Sequence, residues 1–344
     1  MTWLLALLAL LAAAAWYLSE RARRQTRPMT GGLHRDVTLA HIREWELYHN
    51  GFSLCSKKLR VCLDELGLDY TSHPIDLIET GSYENVGRRF LAVNPGGLVP
   101  VLVHQGHPVY ESHEEIVYAA RHAGERGRAL LAEGPGDSAL AALTAGWIDR
   151  ASLVGDDPTQ ATAERAGNCV PGLTFPLFAT MVRHVPWRRF VPGLLFHPQK
   201  RRPLFFLLLK LRGLNGLNGL PALSPVMAIL RRSRDDMARH LDALGAQLEA
   251  SGGPWIAGER FTLADVSWVV ILDRLAEADW DGFFWGEGRR PAVAAYWQRL
   301  RERPSYETAI VKARGATLLA GAAELKQAKR ASPRLRMALE GAEA

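Results

Sequence analysis

Residues 45–122 carry a fixed order of signals that few chain topologies accommodate. Residues 45–49 alternate as a strand, residues 53–66 carry a helical apolar stripe (Leu54, Leu59, Cys62, Leu63, Leu66), and Gly67 supplies a helix stop. Residues 69–75 read as a second strand, which gives a strand, helix, strand unit. A helical stretch over residues 83–92 leads to Pro100. Residues 101–103 and 109–110, split by Gly106, read as a hairpin, and residues 112–122 close the unit as a helix. Three short groups punctuate this order: Ser53-Leu54-Cys55-Ser56 at the first helix start, Val99-Pro100 before the third strand, and Glu111-Ser112 at the last helix start. Singly, they are an N-cap, a turn and another N-cap. Together, with the right elements between them, they surround one site with a hydroxyl, a proline-fixed backbone edge and an anion-favouring helix end.

The stretch SLCSKKLRVCLDELGLDY resembles the zeta-type branch of the glutathione transferase superfamily and the bacterial tetrachlorohydroquinone reductive dehalogenases, which share a Ser-x-Cys-Ser opening of the first helix. NPGGLVPVLV and VYESHEEIVYAA resemble the turn and glutathione-binding helix of the whole superfamily. FTLADVSW, residues 261–268, resembles the capping segment of its helical second domain. The resemblance covers residues 44–124 well and 224–310 loosely. It implies an α/β plus all-α fold: a thioredoxin-like N-terminal domain followed by an all-helical C-terminal domain, with glutathione as co-substrate. A homodimer belongs to the same implication, although an insertion over residues 169–223 could obstruct it.

Glutathione is useful as its thiolate, and a free thiol is mostly protonated at neutral pH. A Ser53 hydroxyl at the positive end of a helix dipole can donate to that sulfur and stabilise its charge. Cys55 has two readings: a small apolar side chain in the first turn of a buried helix, or a nucleophile at a thiolate-favouring helix start beside Lys57 and Lys58. The dehalogenase-like branch uses the matching cysteine to attack a glutathione adduct and form a mixed disulfide. Cys62, two turns on, reads as core. The Val99-Pro100 bond is expected to be cis, leaving the Val99 backbone to pair with the cysteinyl part of glutathione. Ser112 would take the γ-glutamyl carboxylate, Glu111 the ammonium. Lys57 is assigned the glycyl carboxylate, with a solvated lysine as the rival reading. In His113-Glu114, Val117 occupies the position where a zinc-protease helix needs its second histidine, and the other histidines lack ligand spacing, so no metal is expected.

Three cysteines (Cys55, Cys62, Cys169) in 344 residues are an odd number and too few to staple the chain, which suits a reducing compartment. Residues 3–18 are uninterrupted and apolar, with Arg21, Arg23, Arg24 and Arg27 following. No Lys or Arg precedes the run, so a single-pass N-terminal anchor is favoured over a cleaved signal, and the positive-inside rule leaves the globular part in the cytoplasm. The net charge of +6 raises nucleic acid as a partner, but no recognition motif occurs, and the basic clusters suit an anionic membrane surface.

These signals divide the chain into an anchor (1–20), a basic linker (21–40), the thioredoxin-like glutathione-binding domain (41–124), a helical domain (135–325) with its insertion (169–223), and a basic tail (326–344). Within them a helix is expected over 138–167 and another over 227–248. Residues 203–211 are either a core helix or an interfacial element, and the repeat GLNGLNGL (213–220) reads as a flexible connection. The tail reads as a helix with a frayed end. The expected function is a membrane-tethered glutathione transferase acting on a small apolar electrophile by conjugation, isomerisation or reductive dehalogenation. The alternative is a non-catalytic, membrane-anchored module of the same fold.

Overall fold

In the computed structural model, residues 2–134, 136–155, 157–219 and 224–341 are described. The chain opens with α1 (Thr2–Arg23), followed by a five-stranded sheet: β1 (Gly32–Leu33), β2 (Trp45–His49), β3 (Thr71–Pro74), β4 (Val101–His104) and β5 (His107–Tyr110). Its order is β1-β5-β4-β2-β3, with β2 and β3 parallel and the other pairs antiparallel. Packed with it are α2 (Leu54–Leu66), α3 (Arg88–Leu91), α4 (Ser112–Arg121) and α5 (Gly124–Leu131). The second domain contains α6 (Ser138–Ala151), α7 (Ala166–Met181), α8 (Val191–Phe196), α9 (Arg201–Gly219), α10 (Ser224–Ser251), α11 (Leu263–Glu277), α12 (Asp281–Trp285), α13 (Pro291–Arg301), α14 (Pro304–Tyr306), α15 (Ala316–Ala331) and α16 (Pro333–Glu340).

Local chemistry explains the boundaries around the site. Ser53 caps α2 by accepting from the Ser56 N–H, and Gly67 ends the helix at φ 68° and ψ 33°, which glycine adopts without strain. Gln105 and Gly106 both have positive φ, as a tight hairpin turn between β4 and β5 requires. α11 begins at a capping box in which Thr262 and Asp265 satisfy each other's backbone amides, and almost every α11 side chain is buried. This helix is the axis on which the two domains meet.

Several expectations are corrected. The linker does not hang free: Gly32 and Leu33 pair with Tyr110 and Val109, Arg27 N donates to Pro95 O at 3.0 Å, and Leu39 N donates to Gly106 O at 2.7 Å. It folds over the sheet edge because β5 otherwise leaves its outer amides unpaired. The helix expected over 138–167 stops at Ala151: a 3-10 turn (Pro158–Gln160) follows, and α7 begins only at Ala166, with Cys169 fully buried in it. Residues 213–219 continue α9 past a break at Gly213 (φ 57°, ψ −154°), so this part of the repeat is helical. Leu220, the Leu223 end of the insertion, Pro135 and residues 342–344 lie outside the described residues. The tail is docked, with Leu335 and Leu339 buried and Lys329 bridging Asp279 and Glu340 at 3.1 and 2.6 Å.

Candidate functional site

The loop before α2 is held from several directions. Asn50, almost fully buried, accepts from the N–H groups of Phe52 and Ser53 at 2.9 and 3.1 Å, and its amide donates to Ile75 O and Thr80 Oγ1 at 2.8 and 2.9 Å. Arg60 adds bonds to the carbonyls of Asn50 and Gly51 at 3.0 and 3.1 Å, and to Ala309 O in the second domain at 2.8 Å. Ser53 Oγ accepts from Ser56 N at 3.3 Å, which uses an oxygen lone pair and leaves the O–H free to donate.

Cys55 sits in the first turn of α2, beside Ser112 at the start of α4. It is densely surrounded yet partly accessible. Burial pushes its thiol up, and the opposing pull of Lys58 and Ser112 is the smaller effect. Burial thus favours the thiol form of free Cys55.

The Val99-Pro100 peptide is cis, as expected. Among the described residues no backbone group pairs with Val99, so its N–H and C=O remain available next to β4. Glu111 adopts φ 69° and ψ 114°, a conformation that costs on the order of 1–3 kcal/mol for a residue with a Cβ. It turns the chain so that buried Ser112 opens α4. The linker reaches this corner: a side chain at Gly31 would come within 3.3 Å of Glu111 and 3.2 Å of Glu114.

The structure brings Cys55 beside Ser112 and Glu111 where α2 packs on α4, and takes Lys57 out of the set. The Lys57 ammonium is fully buried, 2.5 Å from both Asp273 and Glu277 of α11. It ties the two domains together and, fully buried between two carboxylates, is closed off from a glycyl carboxylate. Arg274 of the same cluster donates to the Phe52 carbonyl and lies 3.6 Å over the Phe52 ring. On that side of the loop, Phe52, Phe178 and Phe206 form an edge-to-face chain with centroids 5.8 and 5.4 Å apart, joining the site to α7 and α9. Cavities of about 420 and 450 Å³ open elsewhere, around Arg314 and around His104, and neither includes Ser53.

Lys58 was read from the sequence only as a charge beside Cys55, and Glu115 was not singled out. Both are buried, and one Glu115 carboxylate oxygen lacks a hydrogen-bond partner, while the other accepts from Leu102 N at 3.3 Å. The signal was present: Lys58 shares a helix face with Leu54 and Cys62, and Glu115 shares one with Ala119, so each is a charge on an apolar stripe. Asn50 was also missed; an asparagine three residues before a serine N-cap was the signal for it.

Burial pushes the Glu115 carboxyl up to about 8, despite the Leu102 amide and Lys58. An acid raised this way holds its proton in the folded state after losing it unfolded, so stability falls as pH rises from its ordinary 4.5 to about 8. Glu115→Gln is expected to remove a slope of up to about 1.4 kcal/mol per pH unit in that window. Denaturant unfolding of the full chain in detergent, repeated across that window, checks this; an unchanged slope contradicts it.

Comparison with known proteins agrees with the geometry. Residues 52–122 match the family described as glutathione S-transferase, N-terminal domain, and residues 227–299 match its C-terminal domain. Glutathione S-transferase TCHQD of Arabidopsis thaliana is 27% identical over 77% of this chain and 89% of its own length. The tetrachloro-p-hydroquinone reductive dehalogenase of Sphingobium chlorophenolicum is 26% identical over 78% of this chain and 96% of its own. The 2,5-dichlorohydroquinone reductive dechlorinase of Sphingobium indicum is 45% identical over 69 residues, 20% of each chain. Among solved structures, a β-etherase from Sphingobium sp. strain SYK-6 superposes with a TM-score of 0.59 at 21% identity, covering 78% of this chain and all of the other.

Proposed function

Because the chain belongs to the glutathione S-transferase superfamily, we propose that it binds glutathione at the mouth of α2 and uses it, at a membrane, against an apolar electrophile. The observation that supports this reading is Cys55, in the first turn of the Ser53-capped α2, standing beside Ser112 at the start of α4, with a cis Val99-Pro100 bond leading into β4 of the same domain. The Ser53 O–H donates to the glutathione sulfur, the Val99 backbone pairs with the cysteinyl unit, and Ser112 with the α4 amides takes the γ-glutamyl carboxylate. Phe178, the half-buried member of the ring chain with buried Phe52 and Phe206, offers the apolar face for the second substrate.

The Ser-x-Cys-Ser opening and the dehalogenase relatives favour a reductive sequence on a chlorinated hydroquinone. The glutathione thiolate forms a carbon–sulfur bond as chloride leaves with its electron pair. Cys55, once deprotonated, attacks the glutathionyl sulfur; the carbon–sulfur bond breaks, its pair stays on the ring carbon, and that carbon takes a proton. A second glutathione then releases Cys55 as a thiol and leaves as the disulfide. Chlorine is replaced by hydrogen, and two glutathiones supply the electrons.

For the membrane, α1 spans about 33 Å at 1.5 Å per residue, and its apolar stretch is not buried against the body. Arg21, Arg23, Arg24 and Arg27, following the apolar run, support a cytoplasmic body by the positive-inside rule. The test is to supply full-length protein in phospholipid nanodiscs with glutathione and a chlorinated hydroquinone. Chloride and oxidised glutathione are expected in equal amounts; chloride release with a stable glutathionyl product would place the enzyme in the conjugating branch, and no glutathione-dependent turnover across electrophiles would contradict the reading.

A further inference from the structure

The segment between α7 and α10 carries two apolar stripes that the described chain leaves uncovered. A 3-10 turn, Trp187–Phe190, runs directly into α8, so Trp187, Val191 and Leu195 recur every four residues on one face. They are 55%, 49% and 41% exposed. On α9, Leu204 and Leu211 stand two turns apart, also largely exposed, while Phe206 and Leu209 face the core. Lys210 joins the two stripes, its ammonium 4.8 Å over the Trp187 ring.

Position and charge identify what covers them. α1 meets the body at this same place: the Tyr17 hydroxyl donates to Leu195 O at 3.3 Å, and Trp16 and Tyr17 pack on Phe196 with centroids 6.0 and 5.8 Å away. The Arg24 guanidinium lies 4.6 Å over Phe196 from its own side. Residues 183–212 contain eight Lys or Arg and no Asp or Glu. Of these, Arg188, Arg189 and Arg201 are exposed beside the stripes, as are Arg21 and Arg23 at the end of α1. An apolar stripe edged by exposed arginines, next to a helix of membrane-spanning length, matches the boundary of an anionic leaflet in both chemistry and location.

We propose that the face formed by Trp187, Val191, Leu195, Leu204 and Leu211 lies in the headgroup–acyl boundary of the leaflet that α1 crosses, a second, in-plane membrane contact. The proposal rests on the reading of α1 as an anchor. It also resolves the two sequence readings of residues 203–211, because α9 is core on one side and interfacial on the other. Through Phe206 and Phe178, the lipid-facing helix is two aromatic rings from the Phe52 loop, which suits an electrophile dissolved in the bilayer.

Bromolipid quenching tests it in the full chain. In a Cys55→Ser background, where the remaining cysteines are buried, a fluorescent thiol label is placed at Leu204→Cys, Leu211→Cys, Leu8→Cys or Glu125→Cys, the last on exposed α5. Vesicles contain phosphatidylcholine with or without phosphatidylserine. Bromine near the glycerol end of the acyl chains is expected to cut emission at 204 and 211 by at least about twofold, more strongly with phosphatidylserine, and to leave 125 unchanged. Deep bromine should quench position 8. Quenching at 8 without quenching at 204 and 211 overturns the proposal while the anchor stands; no quenching at any of the three overturns both. Emission at 204 that depends on protein concentration and not on bromine overturns it in favour of a second copy on this face.

Discussion

Asp273→Asn is expected to destabilise the protein by about 3–5 kcal/mol, the range seen when one member of a buried ion cluster is removed. Asp273 accepts from Lys57 at 2.5 Å, Arg314 at 2.6 Å and the Tyr306 hydroxyl at 2.9 Å, and it is fully buried. Around it, Lys57, Arg274 and Arg314 face Asp273 and Glu277, so the cluster already has one cation in excess. Removing Asp273 leaves three cations to one carboxylate; removing Lys57 leaves a balanced set. The double variant Asp273→Asn/Lys57→Met is therefore expected to recover part of the loss, a coupling that a double-mutant cycle reads directly. Burial alone would raise the Asp273 carboxyl, but Lys57 and Arg314 hold it below its ordinary value. Its contribution is thus present above about pH 3.8 and is lost as the pH falls through its folded value, so the variant should also lose part of its acid sensitivity. Denaturant unfolding of the full chain in detergent measures each effect. A loss below about 1 kcal/mol would mean that the domains are not joined through this cluster.

The second large effect separates Ser53 from Cys55. Ser53→Ala removes a hydrogen bond to a charged sulfur, and such bonds contribute about 1.5–3 kcal/mol, so adduct formation should slow by roughly 10- to 100-fold. It also removes the α2 cap, so Ser53→Thr, which keeps both hydroxyl functions, is the control and should restore most of the rate. Cys55→Ala should leave adduct formation largely intact and stop release of oxidised glutathione, so that glutathionyl product accumulates. Rapid-quench product analysis distinguishes the two. Equal loss of both steps in both variants would mean that neither residue has a separate role.

The parts of this fold legible in the sequence are those fixed by local chemistry. Gly67, the Gln105-Gly106 turn, the Ser53 cap and the Thr262–Asp265 box each act within a few residues, and the helices and hairpin they bound stand where the pattern places them. β1 is two residues long and has no period to detect, so its pairing with β5 was hidden in a stretch that reads as linker. Lys57 was misassigned for a related reason: its partners lie 216 and 220 residues away, a distance no helical pattern encodes. The basic composition of the tail masked its apolar face, which becomes evident only when Leu335 and Leu339 are seen buried. Near the site, the Ser53 cap and the cis Val99-Pro100 bond were readable, whereas the burial of Lys58 and Glu115 required knowing which helix faces are covered.

The central claim is that glutathione docks at the start of α2 and loses its proton there. It is tested most directly by the ultraviolet absorbance of the bound thiolate, titrated against pH in full-length Cys55→Ser protein and in the same protein carrying Ser53→Ala. Bound glutathione is expected to ionise at least about one pH unit below the free thiol, near 8.5, and to move back toward it in the Ser53→Ala variant. Bound glutathione that ionises like the free tripeptide, or a shift that survives the loss of Ser53, would contradict the account.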